Sequence, residues 1–182
     1  MSLSIVKISS VTANRLSIFS QIEKIFFQTS SVQTFTTPQL REDFINRWLS
    51  PYLKLDSQSS VWVAVDSEQD EILGYLTGHF DTSFYRVAHD HASLSLFADL
   101  HLDFPAHLHI NMAPGHQGKG VGGALIRAYI EEVRGAGCCG VHLVTSPKAR
   151  NTSFYRKTGF NVEHLRSTSQ NVELLFMGQK LN

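Results

Sequence analysis

Residues Gln117-Gly118-Lys119-Gly120-Val121-Gly122-Gly123 carry the strongest chemical signal in this chain. Four glycines in six positions let a backbone approach a ligand closely and adopt dihedrals that other residues avoid. A helical apolar pattern follows, and the first N–H groups of a helix have no internal partner and carry partial positive charge. Such a turn binds an anion, typically a phosphate, without needing a charged side chain. Just upstream, His107, His109 and Asn111 alternate along HLHINM and share one face of a strand. Histidine titrates near pH ~6.5, which suits proton transfer at neutral pH. A His-x-His pair can also supply two metal ligands, and His89 and His91 repeat the spacing. A zinc hydrolase would need a third ligand and an open position, and it would leave the glycine turn without a purpose. No metal is therefore expected.

Three phosphate motifs compete for the turn. A P-loop requires Lys and Ser or Thr after its last glycine. Counting from Gly115 puts Val121 there, and counting from Gly118 puts Ala124 there. Gly118, Gly120 and Gly123 do satisfy G-x-G-x-x-G. A dinucleotide site also asks for an acidic residue about 20 positions on, and no Asp or Glu occurs between Glu132 and Glu163. The third pattern, [QR]-x-x-G-x-[GA], fits from Gln117 to Gly122. At these residues the chain resembles the GNAT superfamily of acyl-CoA-dependent N-acetyltransferases. The stretch MAPGHQGKGVG is similar to that family's strand–loop–helix. FYRKTGF, Phe154 to Phe160, is similar to its short helix, whose aromatic pair precedes Gly-Phe.

The resemblance implies acetyl-CoA as cosubstrate, with its pyrophosphate held by Gln117, Gly118, Lys119, Gly120, Val121, Gly122 and Gly123. It implies a pantetheine arm running between two splayed central strands, 107–112 and 140–145, with main-chain groups near Met112 holding the arm and the thioester. The family commonly has Asn seven residues before the Tyr of its aromatic pair. Here that position is Lys148, and Asn151 lies four before Tyr155. Lys148 can still meet a CoA phosphate as a point charge. Asn151 is the remaining candidate contact.

Acylating an amine requires a proton to leave the amine, a polarised thioester carbonyl and a leaving thiolate assisted by an acid. Tyr155, a phenol of pKa ~10, can donate to the thiolate, and the resemblance implies the same role. For the base, His109 is preferred to His107. Asp103, an ordered water or no protein base at all remain open. A bulge in the strand would shift the register and change which side chain faces the acetyl group.

The elements that must position these groups follow from periodicity and punctuation. Strands are expected at 4–8, 61–65, 71–80, 107–112, 140–145, 161–167 and 171–180. Helices are expected at 13–29, with Leu16, Phe19, Ile22, Ile25 and Phe26 as its apolar stripe, and from Pro38 after a Thr37 cap, reaching Leu55 if Pro51 only kinks it. A further helix runs from about Gly118 to Arg134, with Arg127 and Glu131 poised to pair at i,i+4. A short one ends at Thr158, with Gly159 as the residue beyond. Residues 82–106 read as irregular, with a short helix at SLSLFADL. DSEQD and STSQN close two hairpins. The expected fold is α/β: residues 1–182 form a single GNAT-like domain, a mixed central sheet with splayed central strands and flanking helices.

Composition narrows the partners. Sixteen basic residues balance sixteen acidic ones, so neither a nucleic-acid footprint nor a polybasic membrane patch follows. MSLSIVKISS lacks the charged and apolar regions of a signal peptide, and no apolar run approaches the ~20 residues of a membrane span. Cys138 and Cys139 are adjacent and cannot build a disulfide framework. They read as buried free thiols of a cytoplasmic protein. The acceptor is expected to be a small-molecule or peptide amine. Its candidate walls are Gln28–Thr37, Thr82–Pro105 and Ser167–Asn171, with Asp81, Asp90, Asp99 and Asp103 in or beside the second. Dimers are common in the family, so a homodimer is compatible with the resemblance. Two functions fit: an acetyl-CoA-dependent N-acetyltransferase acting by direct attack in a ternary complex, and a catalytically silent acyl-CoA-binding or sensing domain of the same fold.

Overall fold

The computed structural model of this chain describes residues 2–10, 15–30, 32–54 and 58–181. Seven strands form one mixed sheet: β1 (Leu3–Lys7), β2 (Ser59–Asp66), β3 (Glu71–His79), β4 (Ala106–Met112), β5 (Gly140–Thr145), β6 (Val162–Ser167) and β7 (Glu173–Lys180). Their order across the sheet is β1-β2-β3-β4-β5-β7-β6. Flanking helices are α1 (Arg15–Thr29), α2 (Pro38–Trp48), α3 (Ser50–Leu53), α4 (Thr82–Ala88), α5 (Ala92–Ser95), α6 (Val121–Gly135) and α7 (Thr152–Lys157). None of the described helices is long and apolar enough to cross a membrane.

Chain contacts divide the fold into two compact units. The first comprises Met1–Gly78 and His109–Tyr129, the second His79–Leu108 and Ile130–Asn182. In the first, β1 pairs antiparallel with β2 from Leu3–Asp66 to Lys7–Trp62. α1 buries Ile22, Ile25 and Phe26 at helical spacing. The expected stripe stops short of Leu16, which is 86% exposed. Positions 13 and 14 lie outside the described residues.

The start of α2 is as its sequence reads: Thr37 Oγ1 accepts the Leu40 N–H at 3.2 Å, and Pro38 occupies the first turn. Pro51 does more than kink this helix. It lacks an N–H, and its ring opposes the carbonyl four residues back. The helix ends at Trp48, and a separate turn, α3, follows. The expected extension to Leu55 lies outside the described residues.

α6 begins at Val121, not Gly118. Gly118 and Gly120 hold φ of +74° and +81°, which no right-handed helix accommodates. Val121, Leu125, Ile126, Tyr129, Ile130 and Val133 are buried along α6. On its exposed face Arg134 pairs with Glu131 at 2.6 Å, so the ion pair runs i,i+3 toward the C-terminus and not between Arg127 and Glu131.

In the second unit β7 lies between β5 and β6, antiparallel to both. Phe97, Phe104 and Phe176 form its aromatic centre. β4 meets β5 in parallel through Ala106–Val141 and His107–His142, while both strands continue beyond those pairs. Thr82–Pro105 is more ordered than expected, because Asp81 caps α4 by accepting the Phe84 N–H. Cys138 and Cys139 are free, but not buried as expected. Cys138 is half-buried and Cys139 exposed, since they occupy the surface turn that leads from α6 through Gly137 into β5.

Candidate active site

In the first unit, β4 ends at Met112 and the chain turns through Pro114 and Gly115 to the glycine run. Gly118 and Gly120 take left-handed dihedrals, and a β-carbon added at either would meet nothing within 4 Å. The amides of Val121, Gly122 and Gly123 precede the first intrahelical bond, from Ala124 N–H to Gly120 O at 3.2 Å. Open space beside two left-handed glycines thus adjoins three helix-end N–H groups, a combination suited to an anion. Lys119 is exposed on its rim. Gln117 Nε2 reaches back to the Met112 carbonyl at 3.5 Å, tying the turn to the strand end.

Met112 is fixed from below by β3. A β-carbon at Gly74 would lie 2.6 Å from the Met112 sulfur and 2.9 Å from the Asn111 carbonyl. Only glycine allows β3 and β4 to approach this closely here.

A cavity of about 380 Å³ lies in the same unit, lined by Phe26, Ser30, Val32, Phe44, Trp48, Tyr75, Thr77, His109 and Asn111. The Asn111 amide lies 2.9 Å from Tyr75 Oη and 3.1 Å from Thr29 Oγ1. His109 packs edge-on to Tyr52, ring centroids 5.6 Å apart, and its Nε2 is shielded from solvent. Burial lowers its pKa from 6.5 to about 4, so the ring is neutral at pH 7 and a weaker base than an ordinary histidine. Its titration belongs near pH 4, well below the neutral region that its residue type suggests.

His107 does not line this cavity. It is fully buried in the second unit, with Nδ1 2.8 Å from Thr82 Oγ1. Thr82 Oγ1 is also 2.7 Å from the Pro105 carbonyl, which can only accept. The single Thr82 proton therefore goes to Pro105, and His107 Nδ1–H donates to Thr82. Around it, His79 stacks at 6.2 Å, Tyr85 meets it edge-on at 4.8 Å and His142 lies at 6.0 Å. His142 in turn donates from Nδ1 to the Phe104 carbonyl at 2.9 Å and stacks on His101. This is a packed histidine cluster. Among the described residues no group of three or more His, Cys, Asp or Glu side chains could hold a metal ion.

Tyr155 also belongs to the second unit. α7 closes with the Gly159 and Phe160 amides bonded to the Arg156 and Tyr155 carbonyls, a Schellman cap with Gly159 at φ +104°. The cap that the sequence announces thus holds Tyr155 in the last full turn. The phenol is 5% exposed, and Asn151 Nδ2 donates to its oxygen at 3.2 Å. Among the described residues nothing accepts the phenol's own proton. Burial raises its pKa to about 12. Lys148 is exposed, its amide bonded to Ser146 Oγ. Asp103 is exposed, 3.7 Å from Lys180 Nζ.

The sequence reading missed Phe44, Trp48, Tyr75 and Thr77. The first two share a face of α2 at i,i+4 spacing, and the second two share a face of β3. Those faces are legible, but the cavity they border is not. Among the expected acceptor walls, Gln28–Thr37 contributes Ser30 and Val32 to this cavity. The acids around Thr82–Pro105 have local duties instead: Asp81 caps α4, and Asp99 holds Arg166 through two bonds of 2.5 and 2.7 Å, which lowers its pKa to about 2.

Solved structures with the same architecture include a GCN5-related N-acetyltransferase from Kribbella flavida (17% identity, TM-score 0.61, covering 98% of each chain). They include aminoglycoside 6'-acetyltransferase type Ii (15%, TM-score 0.65, 99% of this chain and 97% of that one). They also include the NatC complex bound to Gag peptide and CoA (15%, TM-score 0.60, all of both chains). No curated protein sequence matches. At these identities the likeness is one of fold, an α/β sheet of seven strands flanked by helices. The sequence model of the acetyltransferase (GNAT) family, however, matches residues 20–160, most of the chain. This protein therefore belongs to the GNAT acetyltransferase family.

Proposed function

We propose that this chain, as one catalytic domain, moves an acetyl group from acetyl-CoA to a primary amine by direct attack within a ternary complex. The observation that carries the reading is the glycine cradle: two left-handed glycines and three helix-end amides around open space, in a member of this family. The residues fit the group they would hold. Gln117–Gly123 would take the pyrophosphate and the main chain at Met112 the pantetheine arm, with Lys148 available to a phosphate. Acetyl-CoA supplies an activated thioester.

The chain's own residues would manage protons. The amine nitrogen bonds to the carbonyl carbon as the C–S bond breaks, and the departing sulfur takes the electron pair. Tyr155 offers that sulfur its free proton. At a pKa of about 12 against ~8.5 for an ordinary thiol, it acts by hydrogen bonding to the developing thiolate more than by complete transfer. Asn151 orients it. His109 is the preferred acceptor for the proton that the amine loses, because it lines the cavity; burial weakens it as a base, so it would pass the proton on to solvent. His107 is bonded away in its cluster. The exposed thiol of Cys139 agrees with a cytoplasmic setting.

A thermal-shift comparison of acetyl-CoA, NAD and zinc tests the cofactor. Acetyl-CoA at 100 times its Kd should stabilise the parent by about 2.7 kcal/mol. Gly120→Val, which fills the cradle and strains a left-handed position, should lose that protection. Retained protection would mean that the turn is misassigned. Tyr155→Phe separates an enzyme from a silent binding domain. It should lower kcat by about tenfold to a hundredfold and keep CoA affinity, and an unchanged kcat removes Tyr155 from the mechanism.

A further inference from the structure

We infer that Tyr75 orients the acceptor amine, its phenol oxygen taking the N–H that stays on the nitrogen, and that Thr29 sets this polarity through Asn111. The inference rests on the acetyl-transfer reading above and adds a contact that selects primary amines.

A hydrogen-bond chain crosses three elements of the first unit. Thr29 Oγ1 lies 2.8 Å from the Ile25 carbonyl, which can only accept, so the single Thr29 proton goes there. The same oxygen lies 3.1 Å from the Asn111 amide. With its proton spent, Thr29 can only accept from Asn111. The amide therefore turns its nitrogen to Thr29 and its oxygen to Tyr75. Tyr75 Oη, 2.9 Å from the amide, gives its proton to that oxygen. Every proton in the chain points one way, from β3 through β4 to the last turn of α1.

The consequence falls on the cavity. Tyr75 borders it and is 1% exposed. Its proton is directed inward, and among the described residues no group is left to donate to its oxygen. Burial keeps the phenol neutral, its pKa far above the usual value. The oxygen thus offers lone pairs and no proton, which matches an N–H and opposes a ligand oxygen. An attacking primary amine carries two N–H bonds. One proton leaves to the base, and His109 lines the same cavity. The other stays on the product amide. None of the described residues lining the cavity is charged, so that N–H needs a neutral acceptor or is desolvated at a cost. Tyr75 Oη is such an acceptor. A nitrogen held by this bond has less freedom to lose before its lone pair meets the carbonyl carbon.

The test follows CoA release by the chain at saturating acetyl-CoA. Its acceptors are hexylamine and the peptide Ala-Gly-Gly-amide, each beside its N-methyl counterpart, which keeps no N–H once the base has acted. The parent should favour each primary amine by at least about tenfold in kcat/KM, the worth of roughly one hydrogen bond. Tyr75→Phe, checked for folding by its melting curve, should cut that preference about tenfold. Thr29→Val leaves the cavity's own side chains in place but frees the Asn111 amide to turn its nitrogen toward Tyr75. It should cut the preference about threefold, and Thr29→Ser should keep it. Lost stability alone would lower the primary and N-methyl amines together. A preference that survives both Tyr75→Phe and Thr29→Val overturns the contact, as does an equal fall for the two kinds of amine. If acetyl-CoA protects the parent from heat but neither primary amine is acetylated, the contact is wrong and acetyl-CoA binding stands. A parent indifferent to acetyl-CoA overturns the transfer reading, and this inference with it.

Discussion

His107 and His109 stand two residues apart on β4, yet they serve different regions. His107 is fully buried, donates to Thr82 and sits among His79, Tyr85 and His142. His109 borders a ligand-sized cavity together with Tyr75 and Asn111. In the first region two imidazole protons have internal acceptors, Thr82 and the Phe104 carbonyl. In the second, Tyr75, Asn111 and Thr29 bond to one another along the cavity wall. The residue type is the same; what differs is whether packed rings or an open cavity surround it.

This contrast can be broken most directly at the cluster. His107→Ala should remove a fully buried ring and leave a void, lowering stability by about 3 kcal/mol, read by urea denaturation. A loss below about 0.5 kcal/mol would deny the cluster a structural role.

Acid sharpens the same contrast. His101, 2% exposed and without a hydrogen-bond partner for either ring nitrogen among the described residues, is pushed by burial to a pKa of about 4. The folded protein holds it neutral down to that pH, while the unfolded chain takes up a proton near 6.5. Its contribution is therefore full above pH ~6.5, declines as pH falls toward 4, and levels off below. About 2.5 pH units at about 1.4 kcal/mol each make roughly 3.5 kcal/mol as an upper figure. His101→Phe should flatten this limb in denaturation curves recorded from pH 7 to 4; an unaltered slope would refute the assignment.

The smallest expected effect is at His109, the proposed proton acceptor. His109→Gln should lower kcat/KM by about tenfold, near 1.4 kcal/mol of transition-state stabilisation, while costing less stability than His107→Ala. Its loss should also remove any rate limb near pH 4, not near neutrality. A variant that keeps both rate and limb would leave the base to water.

Much of this was legible because local chemistry fixes it. Gly118 and Gly120 had to be glycine to turn left-handed ahead of α6, and Gly159 had to be glycine to cap α7 behind Tyr155. Thr37-Pro38 opened α2 as written. Other features were not legible. Pro51 was open to either reading, a kink or an end, and the helix stopped at Trp48. Cys138 and Cys139, apolar enough for a core, fell on a surface turn. Tyr75 carried no signal in the sequence, because nothing in its neighbours announces a cavity beside it.

The sequence by itself determined the backbone grammar of the chain: a left-handed glycine turn at a helix mouth, a capped tyrosine helix and the order of strands along the chain. These depend on dihedral preferences and on residues a few positions apart. Only the tertiary structure decided which histidine borders a cavity, how far burial moves its pKa, and that Phe44, Trp48, Tyr75 and Asn111 line the same space. Such properties depend on desolvation and on partners brought from distant segments, and no local spacing encodes them.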